Sequence, residues 1–268
     1  MNVRLLGTGA ADGIPGLFSN DEVSRWARIN GGKDIRTRSA ALVDGHLKID
    51  LGPDTFAQMQ RFGLDGRDWS GLVFTHSHED HFAVSEVQYA LFPFVQKDHL
   101  EFPIYGNGVI CGAIRARYPD WPMELVETRS FLTYHHGPYR ITPVAANHIV
   151  GEDCQNLLIE NKGKTLLYAS DTGVYPDETF EFLESIHVDC LVIECTEGLL
   201  RSTYQGHLDI ERCVKVVTRL REQGTLKDNS QVYTTHHAHT GGARHCDLER
   251  ELGAFQIEPG FDGMLATF

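Results

Sequence analysis

The chain reads as one α/β unit with a mixed sheet system, spanning residues 1–268. Three observations predict this. Short apolar runs recur from end to end, amphipathic stretches alternate with them, and no Pro/Ser/Gly linker, repeat or low-complexity tract divides the chain. At 268 residues such a unit can bury a large core. Strand-like runs lie at Val3–Leu6, Ala40–Val43, Leu47–Asp50, Leu72–Thr75, Pro103–Tyr105 and Ile141–Ala145. Further runs follow at Asn156–Glu160, Thr165–Ala169, Cys190–Glu194, Gln231–Thr235 and Gly263–Thr267. Helical patterns are fewer: Thr55–Phe62, Phe82–Leu91, Asp177–Glu184 and Asp209–Gln223. The last is the clearest, with Ile210, Val214, Val217 and Leu220 at helical spacing behind the N-cap candidate Asp209. Residues Phe18–Arg38 are polar and lack clear periodicity, so they read as a long loop, an excursion that in a compact domain is often functional.

Composition narrows the partners. With 24 basic against 37 acidic residues the net charge is −13, and two divalent cations would leave it negative. The broad basic footprint of a nucleic-acid binder is missing, so nucleic acid is not an expected partner. The N-terminal apolar stretch Val3–Leu6 is too short for a signal peptide, and no run is long enough to span a bilayer. The six cysteines are scattered without a C-x-x-C pair, which fits reduced thiols in a cytoplasmic protein.

The most informative segment is Thr75-His76-Ser77-His78-Glu79-Asp80-His81-Phe82. His76 and His78 are one residue apart, so both side chains can close on one cation, while Asp80 and His81 can turn to a second. The apolar run Leu72-Val73-Phe74 places the cluster at a strand's C-terminal end, where α/β proteins hold ligands. Other strand-like runs finish the same way: Val144-Ala145-Ala146-Asn147-His148, Tyr168-Ala169-Ser170-Asp171, and Thr234-Thr235-His236-His237-Ala238-His239. One such ending is usually a turn. Four of them point to convergence on one edge.

H-x-H-x-D-H with a later His, a later Asp and a terminal His, each after a strand, resembles the ligand set of the metallo-β-lactamase superfamily. The resemblance runs over essentially the whole chain and implies the four-layer αβ/βα metallo-β-lactamase sandwich. It implies that His76, His78 and His148 hold one ion, that Asp80, His81 and His236 hold a second, and that Asp171 bridges them. Asp50 matches the superfamily's structural aspartate. Within the superfamily, Gly7-Thr8-Gly9-Ala10-Ala11-Asp12-Gly13-Ile14-Pro15 is similar to the opening turn shared by the phosphodiesterase branch and the tRNA-processing RNase Z group. Gly206-His207-Leu208-Asp209 resembles the segment that carries the catalytic histidine there. The segments around His236 and Gly260-Phe261-Asp262-Gly263 look like the closing motifs of the cyclic phosphodiesterases of the carbon–phosphorus lyase pathway, which open 5-phospho-α-D-ribosyl 1,2-cyclic phosphate. Those enzymes carry a cysteine-rich structural zinc site after the opening turn, completed by a histidine matching His239. Here no cysteine follows Pro15 before Cys111, so that zinc is not expected and His239 loses the role.

The implied function is a binuclear metal-dependent phosphodiesterase acting on a small cyclic or nucleotide-like phosphodiester through a metal-bridging hydroxide. His207 and Asp80 are the expected catalytic residues, Asp80 doubling as a ligand and His207 serving the leaving oxygen. The nitrogen and oxygen donors suit Zn²⁺, Mn²⁺ or Fe. Three alternatives stay open: an RNase Z-like tRNA 3′ endonuclease, a lactone or thioester hydrolase, and a non-catalytic metal-binding module. The resemblance also allows a homodimer. His239 is either a neighbour of the ligands or a loop residue, and His237 alternates away from His236 and reads as a non-ligand. His46, His99, His135, His136, His187 and His245 read as surface residues, and Arg36 and Arg38 as a solvated basic loop rather than a phosphate grip.

Overall fold

In the computed structural model, which describes residues 1–95 and 100–268, two seven-stranded sheets face each other between outer layers of helices. The first sheet takes β1 (Asn2–Gly7), β2 (Ala40–Val43), β3 (Leu47–Ile49), β4 (Gly71–Val73), β5 (Ile104–Gly106) and β6 (Leu125–Glu127). The second takes β7 (Tyr134–His136), β8 (Tyr139–Ala145), β9 (Gln155–Asn161), β10 (Lys164–Ala169), β11 (Cys190–Glu194), β12 (Gln231–Thr235) and β13 (Glu258–Pro259). The final strand, β14 (Leu265–Thr267), returns to pair antiparallel with β1. Each sheet is antiparallel at one side and parallel at the other. The parallel parts, β3 to β6 and β10 to β13, aim their C-terminal ends toward the ligand segments.

Strand alternation explains the layering. Val3, Leu5, Val43, Leu47, Ile49 and Val73 meet Ile141, Leu157, Ile159, Leu166 and Val192 between the sheets. Their neighbours Leu158, Leu167, Leu191 and Ile193 face outward, beneath α4 (Asp177–Glu184), α5 (Ile210–Glu222) and α6 (His245–Gly253). On α5 the buried stripe is Cys213, Val216, Val217 and Leu220, and each buried aliphatic side chain contributes about 1.5–3 kcal/mol. The outer face of the first sheet sets Leu72, Phe74 and Ile104 against Ile110 and Ile114 of α3 (Gly108–Arg117). This is the four-layer αβ/βα order.

Two expectations need correction. Phe18–Arg38 is not all loop: α1 (Glu22–Asn30) and a 3-10 turn (Gly32–Asp34) form within it. Asp21 caps α1 by accepting from Ser24 N, and a stripe of only Val23 and Ala27 packs on Ile14 and Ile35. Two residues one turn apart are too little for a periodicity reading. Phe82–Leu91 is not an α-helix, and only a 3-10 turn (Glu86–Ala90) appears there. Phe82 is bridged to Leu51, and Ala83 N donates to Leu51 O at 2.9 Å, so the backbone leaves the ligand loop extended. By contrast α2 (Thr55–Phe62) and α4 have the expected bounds. His99 lies outside the described residues.

Candidate metal centre

The seven expected ligands gather at the strand ends as two groups sharing one carboxylate. His76, His78, His148 and Asp171 have donor atoms within 4.8 Å of one another, and so do Asp80, His81, Asp171 and His236. Asp171 Oδ2 faces the first group, 3.6 Å from His76 Nε2 and 3.4 Å from His148 Nε2. Its Oδ1 faces the second, 3.2 Å from His81 Nε2 and 3.0 Å from His236 Nε2. Asp80 Oδ2 closes that second group at 3.2 Å from His81 and 3.3 Å from His236. Asp50, Asp171 and His236 all adopt left-handed backbone conformations, with φ of 57°, 54° and 55°. Non-glycine residues hold that conformation at a cost, and here it turns three strand ends inward.

The donor set fits divalent cations. His76 Nε2 and His81 Nε2 are buried and make no hydrogen bond, although carboxylate oxygens lie nearby. Burial, reinforced by His81, keeps the His76 ring well below its usual range, in the neutral form a ligand needs. Burial also opposes charge on His81, but Asp171, Asp80 and Asp50 override it and hold the ring well above the usual range. The carboxylates thus call for positive charge at this point. The outer nitrogen of each anchored ring is fixed: His81 Nδ1 on Asp50 Oδ2 at 2.7 Å, His148 Nδ1 on Gly206 O at 2.9 Å, and His236 Nδ1 on Thr196 Oγ1 at 2.8 Å. Thr75 Oγ1 lies 3.1 Å from His76 Nδ1, and its own N donates to Asp50 at 2.8 Å.

His207 stands over both groups. Its ring is 4.8 Å from that of His148 and 5.4 Å from that of His236. Its Nδ1 is 2.8 Å from Glu194 Oε1, a fully buried carboxylate at the end of β11. Burial works against a charged His207, yet Glu194 outweighs it and pushes the ring up to about 9. Glu194, His207 and His236 also lie close enough to hold a metal. Glu194 is not free for that, because it already accepts from Thr172 N, Thr196 N, Thr196 Oγ1 and Leu208 N. It orients His207 instead.

Against known proteins, the family described as "Beta-lactamase superfamily domain" matches residues 47–237. The chain belongs to that superfamily. Its His/Asp cluster is able to hold metal. Similar solved structures include a diphosphatase from the PhnP family, at 21% identity and TM-score 0.80, covering 100% of this chain and 97% of that one. Zn²⁺-bound PqqB from Methylobacterium extorquens is similar at 15% identity and TM-score 0.77, with 100% of both chains covered. Human tRNase Z, short form, is similar at 18% identity and TM-score 0.67, covering 100% and 99%. At these identities the likeness is one of fold. No curated protein matches the sequence.

Other residues around this superfamily site stand differently from their sequence reading. Arg36 is not in a solvated loop: it is buried, and its guanidinium donates to Thr8 Oγ1 at 2.7 Å and Gly260 O at 2.6 Å, with His245 Nδ1 at 2.9 Å. It ties the opening turn to the closing motif. His245 is therefore buried too, not on the surface. Arg38 is partly exposed and pairs with Asp54 at 3.0 Å. His46 and His135 are exposed, while His136 and His187 are half-buried. His237 is buried and points to Thr234 Oγ1 at 3.3 Å, apart from both ligand groups. His239 bonds Asp12 Oδ2 through Nε2 at 2.7 Å, and its Nδ1 lies 2.8 Å from Asp21 Oδ2 without hydrogen-bond geometry. Carboxylates from the opening turn and the α1 N-cap thus flank this histidine.

Sequence reasoning missed Glu194, although the signal was present: Leu191-Val192-Ile193-Glu194 is another apolar strand ending in a chemically capable residue. It also missed Glu152, which accepts from Ser77 N at 2.9 Å and from Ser77 Oγ at 2.5 Å, between the first two ligands. No local pattern marks Glu152.

Proposed function

We propose that the protein is a binuclear metal-dependent phosphodiesterase that cleaves a small cyclic or nucleotide-like diester. The observation that carries this reading is His207, an imidazole outside the ligand set, backed by a buried carboxylate and set over both groups. In this reading His76, His78 and His148 hold one ion, Asp80, His81 and His236 hold the other, and Asp171 spans them. When bound, two divalent cations lower the pKa of water for attack and neutralise charge on the non-bridging oxygens. The nitrogen and oxygen donors suit zinc or manganese, with iron as a third choice.

The chain's own residues do the rest. Glu194 takes Nδ1–H of His207 and fixes the ring, leaving Nε2 to hold a proton for the leaving oxygen. An alkoxide leaving group needs that proton, whereas the thiolate released from a thioester does not. The acidic charge balance counts against a tRNA substrate.

A substrate panel tests the proposal: bis-p-nitrophenyl phosphate, 2′,3′-cyclic nucleotides, a ribosyl cyclic phosphate, a diphosphate ester, a pre-tRNA and a lactone, each with Mn²⁺ and with Zn²⁺. Turnover of the small diesters is the expected result, lost in His207→Ala for the esters with alkoxide leaving groups and largely kept for bis-p-nitrophenyl phosphate. Absence of diester turnover with either metal refutes it. A cytoplasmic location and a homodimer are proposed with it, to be checked by fractionation and by sedimentation.

A further inference from the structure

Lys48 is the only buried lysine among the described residues. Its neighbours in β3, Leu47 and Ile49, point into the core between the sheets, so Lys48 points the other way. Its cross-strand partners there are Leu42 and Leu72, and the Trp69 ring centroid lies 5.8 Å from Nζ. An apolar layer is a costly place for an ammonium group. Burial drives it down to about 7, with Asp50 opposing. A methionine would fill the same space without that cost.

The ammonium group has a specific task in this layer. Nζ donates to Ile49 O at 3.0 Å and to Asp50 O. These carbonyls bracket the point where the chain leaves β3 and Asp50 enters the left-handed region, at φ 57°. That turn swings the Asp50 carboxylate under the ligand loop, where it accepts from Thr75 N and meets His81 Nδ1 at 2.7 Å. The next residue continues the support: Leu51 N donates to His81 O at 2.8 Å, and Leu51 O accepts from Ala83 N at 2.9 Å. The loop carrying Asp80 and His81 therefore hangs on the backbone that Lys48 holds.

We propose that Lys48 is a positioning residue for the metal centre: by clamping the Ile49 and Asp50 carbonyls it holds the left-handed turn that aims Asp50 at His81. It thereby sets the affinity of the Asp80–His81–His236 group for its ion. The inference rests on the two-ion reading above but not on the identity of the substrate.

The test compares wild type, Lys48→Met, Asp50→Asn and the double variant, stripped of metal and titrated with Zn²⁺ against a chromophoric chelator. In Lys48→Met one of the two ions should bind as in wild type and the other 10–100-fold more weakly, the range for losing a group that orients a ligand. Metal-free Lys48→Met should still unfold cooperatively and melt within a few degrees of metal-free wild type, because removal of the buried charge offsets the two lost hydrogen bonds. The double variant should be no worse than Asp50→Asn alone, since both changes act through one carboxylate. Two wild-type affinities in Lys48→Met, additive losses in the double variant, or loss of cooperative unfolding in the metal-free single variant would each overturn the assignment. A wild type that binds only one ion overturns the two-ion reading as well, and that result needs no variant.

Discussion

Replacing Glu194 with glutamine changes one atom and reverses the electrostatics around His207. The carboxylate accepts five hydrogen bonds, two at Oε1 and three at Oε2. A glutamine amide turned either way sets an NH₂ group against at least two donors. The shift of His207 from 6.5 to about 9 corresponds to about 3 kcal/mol of net preference for the charged ring, already reduced by burial. With Glu194 ionised most His207 rings carry the proton at neutral pH, and without it few would. For a diester with an alkoxide leaving group, lost protonation and lost orientation together should lower kcat/KM by about 10²–10⁴. For p-nitrophenyl esters, whose leaving group needs no proton, the loss should be small. The assay is kcat/KM against pH for both ester types. The alkaline limb should move to lower pH in Glu194→Gln with the alkyl diester only. Stability carries a second signature. Because folding raises the His207 pKa, the ion pair's contribution is complete below about pH 6.5 and is lost as pH rises through about 9. An unmoved alkaline limb, or equal losses with both esters, refutes the proton-donor role.

Three further outcomes are expected. Chelation should lower the melting temperature, and restoring Mn²⁺ or Zn²⁺ at about 100 times Kd should return about 2.7 kcal/mol for each ion, roughly 5–10 °C per ion by calorimetry; a melting point indifferent to metal would count against a resident centre. Gly52→Ala would put a Cβ 2.0 Å from the Asp80 carbonyl oxygen, so the ligand loop must shift. A displacement near 1 Å should cost about 10²-fold in turnover with little loss of fold by circular dichroism, and wild-type turnover would show that the contact is absent. His239→Ala removes the bond to Asp12 and should cost about 1–2 kcal/mol, a fall of a few degrees in melting temperature, while metal content by elemental analysis stays unchanged; a drop in metal content would make His239 part of the centre.

Local pattern alone gave many of the strands and helices and the kinds of ligand, and the four-layer order came from the resemblance. Period-two and period-3.6 patterns are local, so β2, β11, β12, α2 and α4 stand at the expected bounds. The ligand types were legible for the same reason, because each follows an apolar strand within a few residues. Tertiary structure decided which of fourteen histidines meet and what holds them. His245 and Arg36 look like surface residues until a partner more than two hundred positions away satisfies both inside the fold. Glu194 and Lys48 take their meaning from His207 and from a left-handed turn, neither visible in a strand pattern. A buried charge is tolerated only where its partners are, and those partners are set by packing across the chain rather than by spacing along it. The H-x-H-x-D-H cluster could therefore be read from its own residues and Asp50 from the resemblance, while the supports Thr75 and Lys48 needed the folded chain.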